Sequence, residues 1–370
     1  MTWGVEFYAS EQHANRTRIC AQTGGDVPPQ VKLRMDLVTF GEAMVRLTPA
    51  NFHRLEQATS FDVYVGGGEL NVAVAAARLG VAARWVSRLP DNALGRMIAN
   101  RAREQGVDLH IDWATSDRAG LYFAELGAAP RASSVLYDRG ASAISKVDTG
   151  KTDWQSVFEG ARWFHVSGIT PALSESAARV TAESLVAAKK AGLTVSYDLN
   201  YRGKLWSPEK ARTVQEPLME HVDVLITTEE DTRVVFGIGE ARDSYEHLNA
   251  EPYDVVARTL QRQFGFKAVA VTLRENPLVL LNSWSAILVA DDELHRAPRY
   301  EVEVVDRIGA GDAFSGGLIA ARLEGRGWDE ALRFATAASA LKHSIPGDFC
   351  LVTRTEVEQL LRGASLRVSR

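Results

Sequence analysis

Residues 306–312, with the sequence Asp-Arg-Ile-Gly-Ala-Gly-Asp, combine residue types that can carry out phosphoryl transfer. A β-rich run over residues 302–305 precedes them and apolar residues at helical spacing follow, which predicts a strand, a turn and a helix. The turn consists of Gly309, Ala310 and Gly311. It lies where a helix leaves its first N–H groups unpaired, and these groups together with the helix dipole suit an anion. Asp312 could accept a proton from a substrate hydroxyl, or it could merely complement the dipole.

A second glycine turn, residues 66–68, leads into a predicted helix that begins Glu-Leu-Asn. Gly67 and Gly68 would let a ligand approach the backbone, and the Asn71 amide can donate to and accept from sugar hydroxyls. The alternative is an ordinary strand-to-helix turn with Asn71 on a solvent face.

Both turns, in this order and more than two hundred residues apart, resemble the two signatures of the PfkB (ribokinase-like) carbohydrate kinases. In that family, Gly-Gly-x-x-x-Asn-x-Ala lines the sugar site and Asp-Thr-x-Gly-Ala-Gly-Asp carries the anion hole and the catalytic base. Here Arg307 stands where the family usually has Thr, and residues 87–92 depart from ribokinases proper. Both features match the branch that phosphorylates 2-keto-3-deoxygluconate. The resemblance covers residues 35–361 and implies that Asp312 is the base and residues 309–311 the anion hole.

Arg139 offers a forked donor that matches a carboxylate, which a neutral hexose would not need. It follows Tyr137 in a β-rich segment, and Tyr122 lies in the segment before. A solvated arginine with two edge aromatics is the alternative interpretation. The resemblance favours a substrate site, because 2-keto-3-deoxygluconate kinases use a Tyr and a Tyr-x-Arg here for the acid sugar. Arg131 is a weaker candidate.

Residues 198–206, Asp-Leu-Asn-Tyr-Arg-Gly-Lys-Leu-Trp, follow a predicted strand end, where open α/β sheets bind ligands. Asp198 and Asn200 could orient substrate or metal-bound water, and Arg202 could provide a second contact to a carboxylate. An ordinary strand-ending turn is the alternative. The stretch resembles the family's Asp-x-Asn-Tyr-Arg-x-x-Leu-Trp, which indicates an acidic substrate. Two arginines suit one carboxylate, since an unpaired charge in a closed site is costly.

Residues 227–231 stand where PfkB kinases have Asn-x-x-Glu, which is associated with magnesium and phosphate through water. Glu230 matches the Glu, whereas Thr227 replaces the Asn. Magnesium prefers oxygen ligands and keeps several waters, so one carboxylate acting through water is reasonable. An acidic first turn of a helix is the alternative.

The resemblance also implies an ATP site along the C-terminal half. Thr272 and Arg274 belong to a Thr-Leu-Arg-Glu segment near the phosphates, and Ala338 and Ser339 lie on the purine-side helix. An alanine-rich face is also typical of any buried helix. His343 is interpreted as structural.

Short β-rich runs alternate with amphipathic stretches from residue 36 onward, which indicates an α/β protein with a mainly parallel sheet. The resemblance implies the ribokinase-like three-layer fold, with helices on both sheet faces and a small β-sheet lid from segments 49–65 and 115–140. Strands are predicted at 37–47, 84–87, 163–166, 194–198, 222–226 and 268–272. Helices are predicted at 69–78, 93–105, 174–191, 208–220, 253–264, 310–324 and 329–343. Ser207 predicts an N-cap, and Thr355 with Glu358 a capping box for a last helix. Residues 1–34 are predicted to be an irregular, disordered extension to a kinase domain at 35–363, and residues 364–370 a tail.

Charge, cysteine content and the absence of certain motifs narrow the class of protein and its partners further. The 370 residues carry a net charge of -5, and no lysine or arginine block is present, which argues against nucleic acid as a partner. Two cysteines, Cys20 and Cys350, fit a reducing cytosol. No apolar run approaches the length of a membrane span, so a cytoplasmic protein is expected. The sequence also lacks a P-loop, a Rossmann glycine motif and a zinc-spaced His/Cys cluster.

Together with the motifs above, the resemblance implies ATP- and Mg²⁺-dependent phosphorylation of the terminal hydroxyl of 2-keto-3-deoxygluconate. A kinase of a neutral ketose such as fructose would share the site but leave Arg139 and Arg202 without an acid to bind. A catalytically silent sugar sensor on the same fold is the other alternative. A homodimer or larger oligomer is expected, since lid edges often pair between subunits in this fold.

Overall fold

The computed structural model describes residues 35–239 and 250–363. The predicted extension at residues 1–34 and the tail at 364–370 lie outside these ranges, as does Cys20. Within the described ranges, no helix is both long and apolar enough to cross a membrane.

A large mixed sheet forms the centre of the domain. Seven of its strands run parallel, in the spatial order β11 (Ala268–Leu278), β10 (Val224–Thr227), β9 (Thr194–Asp198), β8 (Trp163–Ser167), β1 (Leu37–Phe40), β4 (Ala83–Pro90) and β5 (Asp108–Ala114). β12 (Leu281–Ala290) continues the sheet antiparallel to β11, and β13 (Glu293–Arg296) and β14 (Tyr300–Glu303) both pair with β12. The carboxyl ends of the parallel strands therefore share one edge of the sheet.

Helices cover both faces of this sheet. They are α1 (Gly68–Arg78), α2 (Ala93–Glu104), α3 (Trp154–Val157), α4 (Ile169–Ala172), α5 (Glu175–Lys190), α6 (Pro208–Gln215), α7 (Glu229–Phe236), α8 (Ala250–Phe264), α9 (Ala310–Leu323), α10 (Trp328–Lys342) and α11 (Arg354–Leu361). Alternate strand residues supply two cores: Leu37 belongs to the core that includes residues of α1, α9 and α10, whereas Val38 belongs to the core that includes residues of α3, α5 and α8. This arrangement confirms the predicted three-layer α/β fold.

A small second sheet covers the carboxyl edge of the large one. Its spatial order is β3 (Phe61–Gly66), β2 (Met44–Pro49), β6 (Gly120–Glu125) and β7 (Ser134–Asp138), with β2 and β6 parallel to each other. We call it the lid. Two short 3₁₀ helices, Ala50–Phe52 and Leu55–Gln57, connect β2 to β3.

The single strand predicted over residues 37–47 is wrong. Residues 41–43 break it, so that β1 lies in the large sheet and β2 in the lid. The Cβ of any larger residue at Gly41 would lie 2.1 Å from Glu69 Oε2, and the Gly41 carbonyl accepts a hydrogen bond from Ser87 Oγ at 2.8 Å. A continuous β-rich pattern cannot show that the two halves belong to different sheets.

The predicted helix ends need smaller corrections. The Ser207 N-cap is confirmed by a hydrogen bond from Lys210 N. The helix that it begins stops at Gln215 and continues as the 3₁₀ helix Glu216–His221, since Pro217 has no N–H to extend the helical pattern. The capping box consists of Thr353 and Glu356, two positions before the predicted Thr355 and Glu358, because α11 already begins at Arg354.

Candidate active site

A cavity of about 660 Å³ lies between the lid and the carboxyl edge of the large sheet. Most of the predicted site residues line it: Gly67, Gly68, Asn71, Tyr122, Tyr137, Arg139, Asp198, Asn200, Arg202, Thr227, Glu230, Thr272, Arg274, Gly309, Ala310, Gly311 and Asp312. Ala338 and Ser339 do not line it. Both are fully buried behind α9, and Ser339 reaches the glycine turn only through a 2.6 Å hydrogen bond to the Ala310 carbonyl. Arg131 also lies outside the cavity, paired with Glu125 at 2.7 Å.

The glycine turn at the start of α9 leaves backbone donors facing this cavity. Gly309 is the N-cap, with φ +85°, and a Cβ there would lie 2.0 Å from the Asp348 carbonyl oxygen. A Cβ at Gly311 would meet no atom within 4 Å, so the turn has open space beside it. The N–H groups of Gly311 and Asp312 make no hydrogen bond to the described residues. A helix start with free N–H groups and open space can hold an anion.

Asp312 lies in the first turn of α9, and its carboxylate Oδ2 accepts a 2.7 Å hydrogen bond from Asn71 Nδ2 of α1. Burial raises the pKa of Asp312 to about 6, although Asn71 and the positive charge of Arg202 oppose this shift. A carboxylate with a pKa just below neutrality is ionised at pH 7 and still basic enough to accept a proton.

Seven acidic side chains of the described residues line the cavity, and Asp198, Asp231 and Asp312 are among those with raised pKa values. Burial raises the pKa of Asp198 well above its usual range, and the neighbouring Asp312 and Asp231 raise it further. Burial also raises the pKa of Asp231 to about 6. Among the described residues no cluster of His, Cys, Asp and Glu has the geometry of a metal cage. Carboxylate oxygens are ligands that suit Mg²⁺, which usually keeps several waters, so Asp198, Asp231 and the exposed Glu230 on α7 fit this ion.

The two arginines at the lid end of the cavity differ in their partners. Arg139 is nearly buried and forms an ion pair with Glu42, which Ser142 Oγ also contacts at 2.5 Å. Its guanidinium lies 5.5 Å from the ring centre of Tyr137. Arg202 is exposed, donates to the Tyr201 carbonyl at 3.0 Å, and has no ion pair within the described ranges. Of these two arginines, Arg202 is therefore the one without an ion-pair partner among the described residues.

A second pair of arginines lies near the glycine turn. Arg307 lines the cavity and donates to the Val279 carbonyl, while Arg274 is exposed on the same wall. Burial lowers the pKa of Arg307, and the positive charge of Arg274 on the same cavity lowers it further. Two cations next to free N–H groups suit the phosphates of a nucleotide.

Comparison with known proteins identifies the family. The model for pfkB family carbohydrate kinases matches residues 34–348. This chain belongs to the pfkB family. The resemblance inferred from the two glycine turns is therefore confirmed, and the protein is a carbohydrate kinase, that is, a phosphotransferase.

Individual members of the kinase family are similar to this chain along nearly the whole domain. A 2-dehydro-3-deoxygalactonokinase of Haloferax volcanii is 40% identical over 338 residues, which cover 90% of this chain and 99% of that protein. The crystal structure of 2-dehydro-3-deoxygluconokinase from Thermotoga maritima is 45% identical, with a TM-score of 0.85, covering 89% of this chain and 99% of that one. An E. coli structure described as a ribokinase II with ATP and Mg²⁺ shares the fold at 22% identity, with a TM-score of 0.75, covering 89% of this chain and 99% of that one.

Sequence reasoning missed several residues of the kinase cavity: Glu42, Asp231, Trp284, Arg307 and Asp348. Arg307 was identified only as a replacement for Thr. Glu42 lies just beyond the end of β1, at the strand edge where α/β sheets bind ligands, and this position could have identified it. His343 also lines the cavity, where burial lowers its pKa to about 4, so it is neutral and packs against Trp284.

Proposed function

We propose that this kinase transfers the γ-phosphoryl group of Mg-ATP to the terminal hydroxyl of 2-keto-3-deoxygluconate. The observation that carries the proposal is the cavity that combines Asp312 at the glycine turn with the unpaired Arg202 at the lid end. An acid sugar supplies both the hydroxyl for the first residue and the carboxylate for the second. The names of the Haloferax and Thermotoga relatives, both kinases of 2-dehydro-3-deoxy sugar acids, support the same substrate class.

In the proposed reaction, Asp312 accepts the proton of the terminal hydroxyl as its oxygen bonds to the γ-phosphorus. The bond between that phosphorus and the bridging oxygen breaks, and ADP leaves. The free N–H groups of Gly311 and Asp312 stabilise charge on the transferred group, as an anion hole does. Magnesium, when bound, would neutralise phosphate charge, and Asp198, Glu230 and Asp231 are the residues that would hold its waters.

Arg202 and Arg139 have different roles in substrate binding. Because Glu42 already balances the charge of Arg139, the carboxylate of the sugar has Arg202 as its main charge partner. Arg139 and Tyr137 then shape the site and donate hydrogen bonds: Arg139 Nε is buried and has no partner among the described residues.

Activity assays of the purified protein test this proposal. ATP-dependent phosphorylation of 2-keto-3-deoxygluconate and its galacto epimer is compared with that of fructose and ribose, for the wild type and the Arg202→Ala, Arg139→Ala and Asp312→Asn variants. We expect preference for the acid sugars, a loss of about 10- to 100-fold in kcat/KM for them in Arg202→Ala, and little effect of that change on neutral sugars. Arg131→Ala, which removes an arginine outside the cavity, is the matched control.

Each alternative has its own result. Preference for a neutral ketose, unchanged in Arg202→Ala, would keep the kinase and discard the acid substrate. Near-normal turnover by Asp312→Asn would disprove the role of the base, and absence of any ATP turnover in the wild type would favour a sugar sensor.

The proposal also covers the oligomeric state of the protein and its location in the cell. A homo-oligomer formed through the lid is supported by three exposed apolar side chains on lid strands, Phe61, Val63 and Leu136. The cytoplasmic location expected from the sequence stays a prediction.

A further inference from the structure

A chain of contacts links the lid to the glycine turn, and the proposed reaction does not use it. Tyr122 of β6 lines the sugar end of the cavity, and its ring stacks on Tyr137 with ring centres 5.7 Å apart. The hydroxyl of Tyr122 donates to Asp348 Oδ1. Both side chains are almost fully buried, with 4% and 2% of their surface exposed. A hydroxyl bonded to a buried carboxylate is fixed in place and is not available to a substrate.

Asp348 is held by the lid through both of its carboxylate oxygens. Oδ2 accepts a 3.1 Å hydrogen bond from Nη1 of Arg46 on β2, the same guanidinium nitrogen that lies 2.7 Å from Asp306 Oδ2. Two neighbouring lid strands therefore hold one side chain that lies beyond α10, in a different part of the chain.

The main chain of Asp348 in turn contacts the glycine turn. Its carbonyl oxygen lies so close to Gly309 that a Cβ there would be only 2.0 Å away. Any shift of Asp348 toward or away from α9 must therefore move Gly309 or leave a gap beside it. Gly309 is the N-cap of α9, and the residues with free N–H groups follow it in the turn.

We infer that Tyr122 and Asp348 are positioning residues, which hold the phosphate-binding turn in register with the sugar-binding face of the lid. This inference rests on the proposed function, because it needs phosphoryl transfer to occur between these two surfaces. The placement of the glycine turn relative to the sugar matters in the transition state and not for the binding of sugar alone. Weaker contacts between the lid and this turn should therefore lower kcat more than they change the affinity for sugar. Tyr122 contributes its ring to the cavity wall and its hydroxyl to Asp348.

A double-mutant cycle tests the link. Tyr122→Phe, Asp348→Ala and the double variant are assayed with whichever sugar the wild type phosphorylates best, so that a wrong acid-sugar assignment and a wrong link give different results. If Asp348→Ala does not fold, as judged by circular dichroism, Asp348→Asn replaces it in the cycle. Tyr64→Phe is the matched control, since Tyr64 also belongs to the lid, lies outside the cavity and has no hydroxyl hydrogen bond to the described residues.

We expect each single variant to lose about 10-fold in kcat, with the KM for sugar changing less than about 3-fold. The double variant should be no slower than the slower single variant, because both changes break one link. Tyr64→Phe should match the wild type. An increase in KM at unchanged kcat in Tyr122→Phe would mean that the hydroxyl binds sugar and would overturn the inference. Losses that multiply in the double variant would overturn it as well.

Discussion

Asn71 Nδ2 donates a 2.7 Å hydrogen bond to Asp312 Oδ2, which joins the two glycine turns of the chain across 241 positions. Asn71 is itself held in place, because its Oδ1 accepts from Gly67 N at 3.3 Å. The first turn thus orients the side chain of the second. The predicted sugar-binding residue and the predicted base form one hydrogen-bonded unit rather than two independent sites.

The pH dependence of turnover should follow the ionisation of Asp312. A base must be deprotonated, so kcat at saturating substrates should be high at neutral pH and fall as the pH drops through about 6, the raised pKa of this carboxyl. The Asn71→Ala variant removes a hydrogen bond that lowers the pKa of Asp312, so the acid limb should move to higher pH.

A pH–rate profile measures this shift. Asn100→Ala, which removes an exposed asparagine of α2, serves as the control and should leave the acid limb in place. If the acid limb of the pH–rate profile did not move, or moved to lower pH, in Asn71→Ala, this limb would not report the ionisation of Asp312.

Two glycines of one turn should respond differently to alanine. At Gly309 the positive φ and the Asp348 carbonyl both oppose a Cβ, so Gly309→Ala should lower the free energy of unfolding by more than about 2 kcal/mol. At Gly311 there is open space, so Gly311→Ala should fold with wild-type stability but place a methyl group in the anion site and lower kcat by at least about 10-fold.

Urea unfolding and steady-state kinetics on the two variants separate these effects. Each variant is the control for the other, since both add one methyl group two positions apart. Full activity in Gly311→Ala would show that phosphate does not bind at this turn.

Glu69 should make stability depend on pH. It is 1% exposed, and its Oε1 accepts hydrogen bonds from Ser167 Oγ and Thr170 Oγ1, each at 2.8 Å. Burial raises its pKa from 4.5 to about 7, so its contribution to stability is complete below pH 4.5 and is lost as the pH rises through 7. Glu69→Gln keeps the shape without the charge, so above pH 7 the variant should be more stable than the wild type, by on the order of 3 kcal/mol.

Urea unfolding at pH 5 and pH 8 measures the change. The stability difference should be small at pH 5 and large at pH 8, whereas Glu104→Gln on the surface of α2 should give none at either pH. A difference that shrinks as the pH rises would have the wrong sign for a raised pKa.

Arg46 should be essential to stability because it is the fully buried partner of two acids. Its Nη1 lies 2.7 Å from Asp306 and 3.1 Å from Asp348, and all three side chains are at most 2% exposed. Arg46→Met would remove the ion-pair partner of two buried carboxylates, and we expect a loss of about 3–5 kcal/mol in the free energy of unfolding. Arg101→Met, which breaks an exposed ion pair with Glu104, should cost less than about 1 kcal/mol in the same urea titration. Equal stability of the two variants would contradict this account.

The sequence predicted the layers of the fold well because they follow local patterns. Buried strands such as β8 and β9 read as β-rich runs, and α5 and α10 show helical spacing, so their positions agree with the prediction to within a few residues. The break after β1 was missed because it depends on Glu69 and Ser87, which are distant in sequence from Gly41.

The cavity also combines features that local sequence patterns predict with features that depend on residues distant in the sequence. Residues in glycine turns and at strand ends were predicted to meet there because a parallel sheet brings such ends to one edge, and they do meet. The pairing of Arg139 with Glu42 was not predictable, since a pattern of residue types does not show which acid lies opposite which base across 97 positions. Ser339 was assigned to the nucleotide, whereas in the fold it supports the Ala310 carbonyl from behind.

The ion pairs of Arg46 with Asp306 and Asp348 affect when the domain can fold during translation. β2 emerges early from the ribosome, yet Asp306 is synthesised much later and Asp348 follows Arg46 by 302 positions. An arginine that will be fully buried therefore has neither of its acids until nearly all of the domain has been translated. Since burying an unpaired charge is costly, the lid cannot settle into its final packing during translation, and the N-terminal strands and the C-terminal loop complete folding together.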